Sequence, residues 1–173
     1  MAVHIALLRA VNVGGTGRLL MSELKSLCEQ IGFEDVRTYI QSGNVVFRSA
    51  LSDEEAGRQL NDALGRILGK SPGVMVRNSR EIEEIVAHNP FPDAKPSYLM
   101  VNFLPEAPPE NALASLVAPD GEQAKIDGRE VYIHYPKGSG RSRLSLRCIR
   151  NATSRNLTTV TKLAEIAASI ERH

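Results

Sequence analysis

The sequence predicts an α+β protein with antiparallel sheets, and three observations lead there. Short apolar or alternating runs of strand length are interleaved with segments whose apolar residues recur at three- and four-residue spacing. In the first half the order is strand, helix, strand, strand, helix, strand, and the second half repeats that outline. Turn chemistry at Ser42-Gly43-Asn44 and Asp127-Gly128 joins neighbouring strands as hairpins, a connection that belongs to antiparallel pairs.

Each element has its own signal. Val3 to Leu8 is a short apolar run, a buried strand. A polar stretch with glycines follows, Asn12 to Gly17. Met21, Leu24, Leu27, Cys28 and Ile31 mark an amphipathic helix ended by Gly32. Val36, Thr38 and Ile40 alternate with polar neighbours, and Val45-Val46-Phe47 returns after the turn. Ser52 with Glu55 three residues on is a capping box, and the helix behind it carries Ala56, Leu60, Leu64, Ile67 and Leu68. Pro72-Gly73 breaks the chain before the strand Val74 to Val76. A linking helix with Ile82, Ile85 and Val86 stops at Asn89-Pro90. Tyr98 to Leu104 is a strand, Pro105 to Pro109 a loop, and Leu113 to Val117 a short helix. Ala124 to Ile126 and Val131 to Tyr135 form the second hairpin. Leu144, Leu146, Cys148 and Ile149 are assigned to a helix, and Val160 to Ile170 to a last one. The repetition is one of element order; no residue-level repeat is visible.

This order predicts two tandem ferredoxin-like βαββαβ sandwiches plus a C-terminal helix. The expected domains are 1–78 and 97–173, joined by a linking helix and loop at 79–96. With 173 residues the chain can bury a sizeable core without a staple. Lys plus Arg is 21 against 20 for Asp plus Glu, which excludes a whole-surface polyanion binder but not a local basic patch. No apolar run reaches the roughly 18 residues of a membrane span. Arg9 interrupts the first apolar run and no basic region precedes it, so no secretory leader is expected. Cys28 and Cys148 form no CxxC pair and read as reduced thiols of a cytoplasmic protein.

Leu7-Leu8-Arg9-Ala10-Val11-Asn12-Val13-Gly14-Gly15 and Thr38 to Phe47 resemble the domain of unknown function 1697 family. Asn89-Pro90-Phe91-Pro92, Gly140-Arg141-Ser142 and Thr159 to Leu163 extend the resemblance. It implies a bacterial-type soluble protein of tandem ferredoxin-like domains, and no activity. The chain departs from the family pattern at Ala10, where Gly is usual, and at Leu157-Thr158, where Trp-Asn is usual.

Two constellations are candidate sites. The βαββαβ topology brings the first strand–helix loop and the first hairpin to one sheet end, with the loop 69–73 beside them. That groups Arg9, Asn12, Gly14 and Gly15 with Gln41, Ser42, Gly43 and Asn44. Glycines let backbone N–H groups approach an anion, a helix start favours negative charge, and Arg9 needs an anionic partner of some kind. The competing reading is two tight turns and nothing more. The second candidate is Gly140, Arg141, Ser142 and Arg143, with Arg155 and Asn156 as neighbours. From Lys137 to Lys162 there are seven basic residues and no acidic one, which also fits a solvated surface.

The expected partner is a small anionic or phosphorylated molecule, with no cofactor, metal or membrane. A nucleic-acid-associated protein using the basic 137–162 segment is the alternative, although base-stacking aromatics are missing from the first strand. An enzyme with an unrecognised polar site stays open: no GxSxG, HExxH or Cys/His cluster is present. Oligomeric state is not legible.

Overall fold

The computed structural model describes residues 1–9 and 19–173. The elements are β1 (Ala2–Leu8), α1 (Met21–Gln30), β2 (Glu34–Tyr39), β3 (Asn44–Ser49), α2 (Asp53–Leu68), β4 (Val74–Asn78), α3 (Ser79–Ala87), β5 (Leu99–Phe103), β6 (Gln123–Asp127), β7 (Glu130–His134), β8 (Thr153–Asn156) and α4 (Leu157–Glu171). Short 3-10 turns lie at Pro96–Tyr98, Ala112–Ser115 and Arg147–Ile149. Two four-stranded antiparallel sheets have the orders β2-β3-β1-β4 and β6-β7-β5-β8. The same order appears twice, as the tandem βαββαβ reading requires. The chain divides into two compact units, Met1–Glu83 with Lys162–His173, and Glu84–Thr161.

In the first unit, alternate residues of the sheet face α1 and α2. Ala6, Leu8, Val45, Phe47 and Val76 meet Leu24, Cys28, Ala56, Leu60 and Leu64 in one buried cluster. Phe33 stacks on Phe47 with centroids 4.0 Å apart. His4 shares this face and stacks on Phe47 at 5.4 Å. Its Nδ1 lies 2.5 Å from Asp53 Oδ1 and its Nε2 lies 3.3 Å from the Ser49 carbonyl, so this buried ring has a structural place at the start of α2. On the other face Ile5, Leu7 and Val46 are fully buried. There Arg37 donates to Ser169 Oγ at 3.3 Å and Arg48 donates to the Ile170 carbonyl, both in the last turns of α4.

Ser52 Oγ accepts the Glu55 N–H at 3.1 Å, as a helix cap should. The Glu55 carboxylate turns to Arg58 and Gln59 instead of back to the cap, and the Arg58 hydrogen bond above all holds it below its ordinary range. Burial, aided by Glu29, pushes the Cys28 thiol up to about 12. A thiol with a raised folded pKa contributes stability that is complete below the unfolded value near 9.0 and is lost as pH rises toward about 12. Cys28 should therefore resist iodoacetamide at about pH 8 while half-buried Cys148 labels first. Peptide mass spectrometry reads the order, and equal labelling rates would contradict this packing.

The second unit keeps the strands but replaces the inner helices with 3-10 turns. Leu104, Val131, Ile133, Tyr135 and Leu146 form its cluster, with Leu113, Leu116, Leu144 and Ile149 packed against it. Buried Asn102 ties three strands: its Nδ2 donates to the Val131 carbonyl at 2.9 Å, and Ser154 Oγ donates to its Oδ1 at 2.5 Å. The helix expected over 144–149 is a correction: only Arg147–Ile149 winds, as a single 3-10 turn. Exposure alternates from Arg141 to Arg147 with period two, and Ser145 is bridged to Val117, so 142–146 is extended chain.

The fourth strands carry a residue-level repeat that the sequence reading missed. Arg77 sits opposite Ile5 on β1, and Arg155 sits opposite Val101 on β5. Both arginines are buried, and each donates Nη1 to the carbonyl just before it, of Val76 at 3.1 Å and of Ser154 at 2.9 Å. The next residue caps a helix each time: Asn78 Oδ1 accepts the Glu81 N–H and Asn156 Oδ1 accepts the Thr159 N–H, both at 2.9 Å. Burial pushes the Arg155 guanidinium down to about 10.

Candidate functional site

Three segments of the first unit meet where β1 ends. The Leu8 N–H donates to the Gly43 carbonyl at 2.9 Å, and the Arg9 N–H donates to the Gly73 carbonyl at 3.0 Å. Asn61 on α2 fixes the third segment by accepting the Gly73 N–H at 2.9 Å. Gly43 and Gly73 have φ of 89° and 91°, the region that favours glycine. A Cβ on Gly43 would stand 3.0 Å from Leu8 Cβ, and one on Gly73 would stand 3.6 Å from Arg9 Cβ. The close approach of chain to chain here uses the missing side chains.

The side chains divide by role. Arg9 and Gln41 are exposed, and Ser42 is half-buried. Asn44 is fully buried on β3, where its Nδ2 donates to the Tyr39 carbonyl at 2.9 Å and to Ser42 Oγ at 3.0 Å. It shapes the turn from inside. Ile40 has φ of 50° although it is β-branched, a strained position at an exposed turn. The turn 40–43 and the loop 69–73 contain no carboxylate, and the loop adds exposed Lys70. Ala10, Asn12, Gly14 and Gly15 lie outside the described residues. The first turn of α1 contains its own acid: Glu23 Oε1 accepts the Leu20 N–H at 3.2 Å.

The second constellation is arranged differently. Ser142 Oγ donates to Glu122 Oε2 at 2.5 Å, and the Asp120 N–H donates to Glu122 Oε1 at 2.8 Å. The Ser142 hydrogen bond leads in holding Glu122 below the ordinary carboxylate range. Lys137 Nζ stands 3.9 Å from Asp120. A cavity of about 210 Å³ opens here, lined by both acids, Lys137, Arg141 and Ser142. The turn binds an anion, and that anion is the protein's own Glu122. Gly140, Arg141 and Arg143 lie on the surface of this turn. Arg155 and Asn156 lie on β8, at the edge of the sheet opposite β6, which Glu122 precedes.

A larger hollow of about 720 Å³ in the second unit is lined by Pro90 to Ala94, Leu116, Glu122 to Lys125, and His134. Its floor is Phe91, with Lys125 Nζ 5.2 Å from the ring centre and the His134 ring 6.0 Å away. The Asn89 to Pro92 motif reaches this hollow although Lys125 and His134, on β6 and β7, lie well beyond it in sequence. Among the described residues no group of three or more His, Cys, Asp or Glu could hold a metal ion. No described helix is long and apolar enough to cross a membrane. Leu157 is buried at the first position of α4.

No curated protein matches the chain. A solved structure of a conserved bacterial protein from Streptococcus pneumoniae is similar in fold, with a TM-score of 0.75 at 20% identity, over 96% of this chain and 98% of that one. Residues 1–132 match the family described as Protein of unknown function (DUF1697), a span that contains the β1, hairpin and Asn89-Pro90-Phe91-Pro92 motifs and stops before Gly140. With two like-ordered sheets and a family match over most of its length, the chain belongs to that family.

Proposed function

We propose that the protein binds a small anionic or phosphorylated molecule at the end of β1, between the turn 40–43 and the loop 69–73. The observation that carries this reading is the pair of backbone bonds from Leu8 to Gly43 and from Arg9 to Gly73, which fasten three segments together. Arg9 and Lys70 supply positive charge, and Gln41 and Ser42 supply neutral donors. Asn44 holds the turn, and Asn12, Gly14 and Gly15 belong to the same proposal. The strained Ile40 fits a turn shaped for contact more than for local comfort. Two free cysteines suit a reducing compartment, and we assign the protein to the cytoplasm.

A thermal-shift panel of inorganic phosphate, sugar phosphates and nucleotides tests this. A ligand at a hundred times its Kd adds about 2.7 kcal/mol, which raises the melting temperature by roughly 5–10 °C for a chain of this size. Arg9→Ala and Gln41→Ala should each lose that rise, measured against the variant's own unliganded melting temperature. A panel that moves nothing, or a rise that survives both substitutions, would overturn the proposal. Turnover of the stabilising compound, lost in Arg9→Ala, would extend binding to catalysis.

A further inference from the structure

The stretch 142–146 is extended chain, with Arg141 in the turn before it and Arg147 opening the 3-10 turn after it, and together they form a basic ribbon. Arg141, Arg143, Ser145 and Arg147 are exposed, while Ser142, Leu144 and Leu146 between them turn inward. The inward residues are anchored: Leu144 and Leu146 join the core cluster and Ser142 is tied to Glu122. The backbone is anchored too. Val117 and Ser145 exchange N–H···O bonds of 2.8 and 2.9 Å, and the Arg147 N–H donates to Ser115 Oγ at 3.3 Å. Among the described residues, the side chains of Arg141, Arg143 and Arg147 have no hydrogen bond or ion pair. No acidic residue occurs between Lys137 and Lys162. Cations without a protein partner, on a backbone fixed before binding, form a surface prepared for an external polyanion.

We infer that this ribbon binds the phosphate backbone of duplex nucleic acid without reading its sequence. Alternate residues of extended chain lie about 6.6 Å apart, so Arg143 in the extended part, with Arg141 and Arg147 just beyond its two ends, makes a row that meets successive phosphates of one strand. The cations are arginines, whose planar fork grips phosphate oxygens in pairs. From Lys137 to Lys162 there is no aromatic residue, so single strands would find no stacking platform. A membrane surface fits less well: an anchored peripheral segment buries apolar side chains in the bilayer, and here Leu144 and Leu146 face the protein core. The inference uses the second unit alone and is independent of the small-ligand site proposed above.

Fluorescence anisotropy of a labelled mixed-sequence DNA duplex, titrated with the full chain, tests it. Three phosphate contacts give a salt slope of about −2.7 and an affinity loss of about 40-fold between 50 and 200 mM salt. Arg143→Ala and Arg147→Ala should each reduce the slope by about one, and the triple variant R141A/R143A/R147A should abolish binding. All three positions are exposed, so circular dichroism melting should be unchanged. Arg66→Ala on α2 is the control and should leave binding intact. Absence of duplex binding at low salt would overturn the inference. So would equal loss in the Arg66 variant, or binding to phosphatidylserine vesicles but not to duplex.

Discussion

Phe47→Ala should destabilise the protein by about 3–5 kcal/mol, the usual penalty for deleting a fully buried aromatic side chain. Phe47 has no exposed surface, lies in the centre strand pair of the first sheet, and stacks with Phe33 at 4.0 Å and with His4 at 5.4 Å. The aromatic pairing adds roughly 0.5–1.5 kcal/mol beyond the area buried. The empty space would border the His4–Asp53 pair, whose 2.5 Å contact depends on the ring staying in place. Domains hold only about 5–15 kcal/mol in total, so the loss is a large fraction of it. Urea unfolding followed by circular dichroism measures it; a change below about 1 kcal/mol would mean that the core closes elsewhere.

Gly43→Ala should cost about 2–5 kcal/mol, through two separable penalties. The φ of 89° puts any side chain in a left-handed conformation, at about 1–2 kcal/mol. The new methyl would also lie 3.0 Å from the Cβ of Leu8, itself fully buried and unable to retreat, which adds about 1–3 kcal/mol. Gly69 separates the two terms. It also has positive φ, 79°, but a Cβ there meets nothing within 4 Å. Gly69→Ala should therefore show the conformational penalty alone. Equal losses in the two variants would deny the close approach of the turn to β1. Because the Gly43 carbonyl is bonded to the Leu8 N–H, Gly43→Ala should also remove the ligand-induced thermal rise that Gly69→Ala retains.

The sequence makes the first unit easy to read because its periods are clean. The core positions of α1 and α2 recur every three or four residues, and the hairpin residues stand between strands that alternate. The convergence of Leu8, Gly43 and Gly73 at one sheet end follows from topology alone. The second unit is harder. Leu144 and Leu146 are two apart, the spacing of extended chain, yet Cys148 and Ile149 close behind them suggest a helix. β8 escapes notice because Thr153 to Asn156 is polar, with Thr153 and Arg155 buried by tertiary packing. The partner of Ser142 is Glu122, 20 residues earlier, and no local pattern announces that bond. A signal was present for the fourth strands: the dipeptide Arg-Asn at 77–78 and at 155–156, each before a helix. Strand-end position, not spacing along the chain, gives it meaning.

Amide-resolved nuclear magnetic resonance, during titration with inorganic phosphate and then with whichever phosphorylated compound raises the melting temperature most, tests the proposed site directly. Shifts should concentrate at Leu8, Arg9, Gln41, Ser42, Gly43 and Gly73, with Asn44 moving less because its side chain is enclosed. Shifts absent from all six amides at saturation, or gathered only around the hollow beside Phe91, would contradict it.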